Sequence, residues 1–190
     1  MKIVCVCLFF VTLLACRDGR GISEELSVLQ SQPIVLPQEK DVVIHNADTV
    51  FNIRGNKLKY IIYNDSLACT SCMINNLISW NPLIEYSKNY KGGLVFYFIF
   101  SPAQKDLRLI NMFIKNSEFK YRIIVDERKT FARLNPHLPK NHLLHSFLLD
   151  ENDNVILVGN PLRNKKIEEI FYKIVEERLG KSQPSSAKED

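Results

Sequence analysis

No strong charge of either sign marks this chain of 190 residues. Its 25 lysines and arginines face 21 aspartates and glutamates, a formal balance of +4. A balance that mild builds no broad basic field, so nucleic acid is not an expected partner. No internal repeat is visible, which argues against an array of stacked units. No apolar run near the N-terminus reaches the ~20 residues that a helix needs to cross a bilayer. Cysteine is scarce as well, five in all, and the positions of those five matter more than their number.

What is present begins with MKIVCVCLFFVTLLAC. One positive charge, Lys2, is followed by apolar residues interrupted only by Thr12. That length and order fit the core of a signal peptide. Leu13-Leu14-Ala15-Cys16 resembles a bacterial lipobox, which implies cleavage before Cys16 and lipid on that cysteine. Acyl chains at ~0.8 kcal/mol per buried methylene would then anchor the chain in place of a membrane span. An ordinary secretory signal is the alternative. Arg17, Asp18 and Arg20 follow at once and speak against a buried strand. On this reading Cys5 and Cys7 leave with the leader and Cys16 is lipidated. Cys69 and Cys72 remain as the two thiols of the mature chain. Outside the inner membrane disulfides are permitted, and a single C-x-x-C pair reads as a centre that cycles, with no framework of structural bridges.

The chain divides into a leader over 1–15, a flexible tether over 16–40, one domain over 41–180 and a polar, disordered tail over 181–190. The tether is expected from polar, irregular sequence containing Pro33 and Pro37. The domain is long enough for a real core. Short strands are expected at 42–44 and 49–53. Residues 58–63 (LKYIIY) form a nearly continuous apolar run, the pattern of a strand buried on both faces. A helix follows from Cys72 to Ser87, with Leu77, Trp80, Leu83 and Ile84 at helical spacing on one apolar face and a kink or break at Pro82. Further elements are a strand at 94–102, an amphipathic helix at 105–116, a strand at 121–125 and one or two helical turns at 127–134. Strands at 145–149 and 155–158 flank a run of turn formers, DENDN, and so predict a hairpin. A last helix covers 164–179, ended by Gly180. Strands alternating with helices predict an α/β fold, a central mixed sheet with helices on both faces, a closing hairpin and a C-terminal helix.

The cysteine pair, the element order and the hairpin together resemble thioredoxin, in particular its membrane-tethered, thioredoxin-like relatives in the bacterial envelope. The resemblance covers roughly residues 41–179. LKYIIYNDSLACTSC is similar to the strand, loop and C-x-x-C that open a helix. YRIIVDERKTFARLN is similar to the strand and short helix before the final hairpin, and HSFLLDENDNVILVGNP to the hairpin itself. It implies a thioredoxin-like fold and a thiol–disulfide oxidoreductase. The chain departs from the family at Ala68-Cys69-Thr70-Ser71-Cys72, where thioredoxins carry Trp-Cys-Gly-Pro-Cys. The place of the family's cis-proline, which borders the substrate groove, is taken by His145, with Ser146 after it.

In the redox reading Cys69, at a helix N-terminus, is the attacking thiolate and Cys72 resolves the mixed disulfide. The partner is an envelope protein with a dithiol or disulfide, and no cofactor is required. The chain is then a monomer, lipid-anchored and facing the periplasm or the cell surface. A second reading keeps the same sulfurs and adds His145 as ligands for Cu(I) or Zn, as in copper chaperones of thioredoxin fold, although those carry C-x-x-x-C. A third is a tethered binding domain with no catalysis, in which the pair is a static disulfide. Asp65, at the end of the first buried strand, is read as a turn residue with a role in moving protons as the alternative. His137 and His142 are read as loop residues facing solvent. Haem attachment is excluded because Met73, not histidine, follows the pair.

Overall fold

The computed structural model describes residues 17–46, 58–65 and 76–181, with side chains from residue 21 onward. In chain order the elements are helix α1 (Arg17–Leu29), strands β1 (Val43–His45) and β2 (Leu58–Asn64), helix α2 (Asn81–Lys88), strand β3 (Leu94–Phe100), helix α3 (Leu107–Asn116), strand β4 (Ile123–Val125), helix α4 (Thr130–Leu134), strands β5 (Ser146–Leu149) and β6 (Val155–Val158), and helix α5 (Lys165–Leu179). The strands make one mixed sheet in the order β1-β4-β3-β2-β5-β6. Strands β2, β3 and β4 run parallel, while β5 lies antiparallel to β2, β6 to β5, and β1 to β4.

The apolar runs become strands because each must be covered on two sides. Successive strand side chains point to opposite faces. Tyr60, Ile62, Phe96, Phe98, Ile123 and Leu148 enter one core with Trp80 and Leu83, Ile110 of α3 and Phe171 of α5. Ile61, Tyr63, Ile99, Ile124, Phe147 and Leu149 enter a second core with Leu29 of α1 and Phe131 of α4. Right-handed crossovers between the parallel strands set where α2 and α3 lie. The path from β2 to β3 to β4 moves one way across the sheet, so α2 and α3 share a face. The path from β4 to β5 turns back across the sheet, and Phe131 of α4 packs on the other face. The expected α/β sheet with helices on both faces, closing hairpin and C-terminal helix is therefore present.

Local details follow from local chemistry. Asn164 caps α5 by accepting hydrogen bonds from the N–H groups of Lys166 and Ile167 at 3.0 and 3.2 Å. Gly180 ends the helix at φ 88°, a conformation that favours glycine. In the hairpin, Asp150 Oδ1 accepts from the N–H groups of Asn152 and Asn154, both at 2.9 Å. Among the described residues no helix is long and apolar enough to cross a membrane.

Two expectations meet a different structure, and a third is sharpened. Residues 17–40 are no loose tether. They begin with α1, and Leu29 and Ile34 are fully buried. Asn135 grips the following strand-like piece: its Oδ1 accepts from Val35 N–H and its Nδ2 donates to the Val35 carbonyl, each at 2.8 Å. Three apolar residues, Leu29, Ile34 and Leu36, outweigh the polar composition because the second face of the sheet needs a cover. The kink or break expected at Pro82 is a break, and it falls just ahead of the proline. A 3-10 turn at Leu77–Trp80 leads into α2, and Pro82 sits in the first turn, where its missing N–H would have no partner in any case. The hairpin's first strand starts at Ser146, one residue late, because His145 ends a 3-10 turn at His142–Leu144. The strand expected at 49–53, and residues 182–190 of the tail, lie outside the described residues.

Candidate functional site

Strand β2 ends at Asn64, with Asp65 next, at the end of the sheet where the parallel strands terminate. Residue 66 begins the segment that contains Cys69 and Cys72, so both cysteines, and Cys16, lie outside the described residues.

His145 reaches this end because β5 pairs antiparallel with β2, Ser146 opposite Ile62. The N–H of Tyr63 donates to the His145 carbonyl at 2.9 Å. The ring of His145 is buried, 4 % exposed. Its Nε2 lies 2.8 Å from the Pro139 carbonyl. A carbonyl only accepts, so Nε2 carries the proton and Nδ1 keeps its lone pair. Nδ1 is buried and has no hydrogen-bond partner among the described residues. Burial holds the imidazole below its ordinary pKa, a shift only partly offset by the Pro139 bond and by the nearby Asp65 carboxylate. The neutral ring is the resting form.

His142 stands beside it, ring centroids 5.2 Å apart and edge to face. Its turn is held by Asn141, whose Oδ1 accepts from Leu143 N–H at 3.0 Å. His142 Nδ1 lies 3.4 Å from Asp65 Oδ1. One donor atom each from Asp65, His142 and His145 fall within 4.8 Å of one another. A cavity of about 440 Å³ opens alongside, lined among others by Tyr63, Asn64, His142, His145, Ser146 and Arg163. Asn64 is 2 % exposed, and neither polar atom of its side chain has a partner among the described residues. The pocket thus joins an apolar wall to unmet amide and imidazole groups.

The sequence reading placed His145 and Ser146 at this end, and both line the cavity. Among the described residues every peptide bond is trans. His142 is partly exposed as expected, yet it faces Asp65. His137 is a correction: both its ring nitrogens are buried rather than facing solvent, because α1 packs across the loop that carries it. Trp80 is core. Asn64, Arg163 and the meeting of Asp65 with His142 were missed. One signal was available, the three-residue spacing of His142 and His145 in HLLH, which a tight turn brings to one side.

The fold these elements define is thioredoxin-like: a β-α-β-α-β run, a return helix on the opposite face, a closing hairpin and a final helix. No family model matches the chain, and no curated protein does. Among solved structures it is similar to a candidate thiol:disulfide interchange protein DsbE from Chlorobium tepidum, at 17 % identity over 77 % of this chain and 93 % of that one, TM-score 0.47. It is similar to an uncharacterized thioredoxin-like protein from Porphyromonas gingivalis, at 14 % identity over 67 % and 79 %, TM-score 0.45. It is similar also to a thioredoxin-like protein in its oxidized form, at 16 % identity over 75 % and 96 %, TM-score 0.46. None of these values carries a residue role or an activity to this chain.

Proposed function

We propose that the chain is a thiol–disulfide exchange protein of the bacterial envelope, anchored by lipid on Cys16 and acting on a protein partner through Cys69 and Cys72. The observation that supports this is the place where the cysteine segment begins. Strand β2 hands the chain over at Asp65, beside a cavity lined by Tyr63, Asn64, His145 and Ser146. Cys69 is four residues further on, a span of at most about 14 Å.

In the reducing direction, the Cys69 thiolate attacks a sulfur of the partner's disulfide. A new S–S bond forms, the partner's own bond breaks, and its second sulfur leaves as a thiolate and takes a proton. The Cys72 thiolate then attacks Cys69, which releases the partner as a dithiol and leaves Cys69 and Cys72 joined. Two electrons and two protons pass to the partner. The oxidising direction is the reverse. The unmet Asn64 amide and the polar rim would hold an extended stretch of partner backbone beside the sulfurs.

The test is a redox titration of the full chain in glutathione or dithiothreitol buffers, read by thiol labelling. A two-electron transition between about −270 and −120 mV is expected, abolished in Cys69→Ser and in Cys72→Ser. Thiols that stay free under every buffer would overturn the reading. Lipid on Cys16 is tested separately by partition into a detergent phase, which Cys16→Ser should abolish.

A further inference from the structure

We infer that Asp65, His142 and His145 form a zinc site of their own, built from two imidazoles and a carboxylate and independent of the cysteine thiols.

His145 is the fixed corner. Its Nε2–H is held by the Pro139 carbonyl at 2.8 Å, and its carbonyl accepts from Tyr63 N–H. Metal-bound histidines are commonly held in this way, one nitrogen donating to a backbone carbonyl so that the other presents its lone pair in a set direction. The other nitrogen here, Nδ1, is buried and has no partner among the described residues. A metal ion would satisfy it.

Asp65 and His142 are the adjustable corners, with side chains 22 % and 43 % exposed. Zinc binds imidazole and carboxylate at about 2.0–2.2 Å, which sets neighbouring ligands of a tetrahedron about 3.4 Å apart. His142 Nδ1 and Asp65 Oδ1 already stand at 3.4 Å. One ligand atom from each of the three residues lies within 4.8 Å of the other two, so side-chain rotation of the exposed His142 and the half-buried Asp65 toward His145 is the adjustment that closes the set. Two borderline nitrogens and one hard oxygen suit zinc without any sulfur. Three protein ligands leave a fourth position for water, and the cavity beside the two histidines gives it access. That open position separates the site from a closed structural one.

The inference stands apart from the exchange reading, and one experiment keeps them apart. The Cys69→Ser/Cys72→Ser double variant of the full chain is titrated with zinc chloride by calorimetry and by competition with a chromophoric chelator. Its first shell is then read by X-ray absorption. One zinc per chain is expected, with nitrogen and oxygen neighbours and no sulfur. His142→Ala and Asp65→Asn, introduced into that variant, should each weaken binding at least tenfold. Both side chains are partly exposed, so the fold should survive, and circular dichroism checks this. A double cysteine variant that takes up no zinc overturns the site. So does binding that His142→Ala and Asp65→Asn leave unchanged.

Discussion

Tyr63 and His145 are joined twice. The Tyr63 N–H donates to the His145 carbonyl at 2.9 Å, and their rings lie 5.1 Å apart at a tilt of 44°. This pairing fastens the end of β2 to the turn ahead of β5. His145→Ala keeps the backbone bond. It removes the ring and leaves the buried Pro139 carbonyl unpaired. A loss of about 2–3 kcal/mol is expected from the orphaned acceptor and the void. A urea unfolding midpoint equal to that of the parent chain would contradict this account.

Leu29 tests whether the N-terminal segment belongs to the domain. Its side chain is fully buried against the second face of the sheet, whereas neighbouring Val28 is 46 % exposed. Leu29→Ala should cost about 2–5 kcal/mol. Val28→Ala should stay within about 0.5 kcal/mol, as surface changes do. A flexible tether would make the two indistinguishable in chemical denaturation.

Asp126 is fully buried and organises the start of α4. Its Oδ1 accepts from Thr130 N–H at 2.8 Å, its Oδ2 from Phe131 N–H at 2.7 Å, and Ser101 Oγ donates to Oδ2 at 3.3 Å. Asp126→Ala orphans two buried donors and should cost about 2–4 kcal/mol. Glu127→Ala, at the exposed next position, is the control and should be near neutral. Faster amide exchange at Thr130 and Phe131 would locate the damage.

Alkaline pH should unfold the protein through its tyrosines. Five of the seven, Tyr60, Tyr63, Tyr86, Tyr121 and Tyr172, have pKa values pushed up chiefly by burial, Tyr121 to about 12. Below pH 10 both folded and unfolded chains keep these phenols protonated, and the groups leave stability unchanged. Above pH 10 the unfolded chain loses protons that the fold retains, so stability falls as pH rises toward 12. Phenolate absorbance near 295 nm should therefore lag behind that of a denatured sample and rise together with loss of ellipticity. A curve that overlays the denatured one would refute the burial.

Much of the fold was legible because its signals are local. LKYIIY and LVFYFIF are too apolar and too β-branched or aromatic for anything but buried strands, and β2 and β3 are those segments. DENDN is rich in turn formers, and Asp150 closes that turn with its own side chain. Asn164 and Gly180 bracket α5 for reasons contained in one helix. The site was legible only in part. His145 and Ser146 were placed by their position in front of the hairpin. Asp65 was read as a turn residue, and nothing near it in sequence points to His142. Pro82 marked the break but not its exact place, because proline suits a helix start and that start depends on where the turn at Leu77–Trp80 ends.

What the sequence determined by itself is the succession of strands and helices and the faces they bury, because side-chain period and capping act within a few residues. Tertiary structure alone decided two things. It docked Leu29 and Ile34 under the sheet, since only the assembled second face offers them a place. It also brought Asp65, His142 and His145 to one end of the sheet, because the antiparallel pairing of β5 with β2 closes a distance that no local pattern encodes.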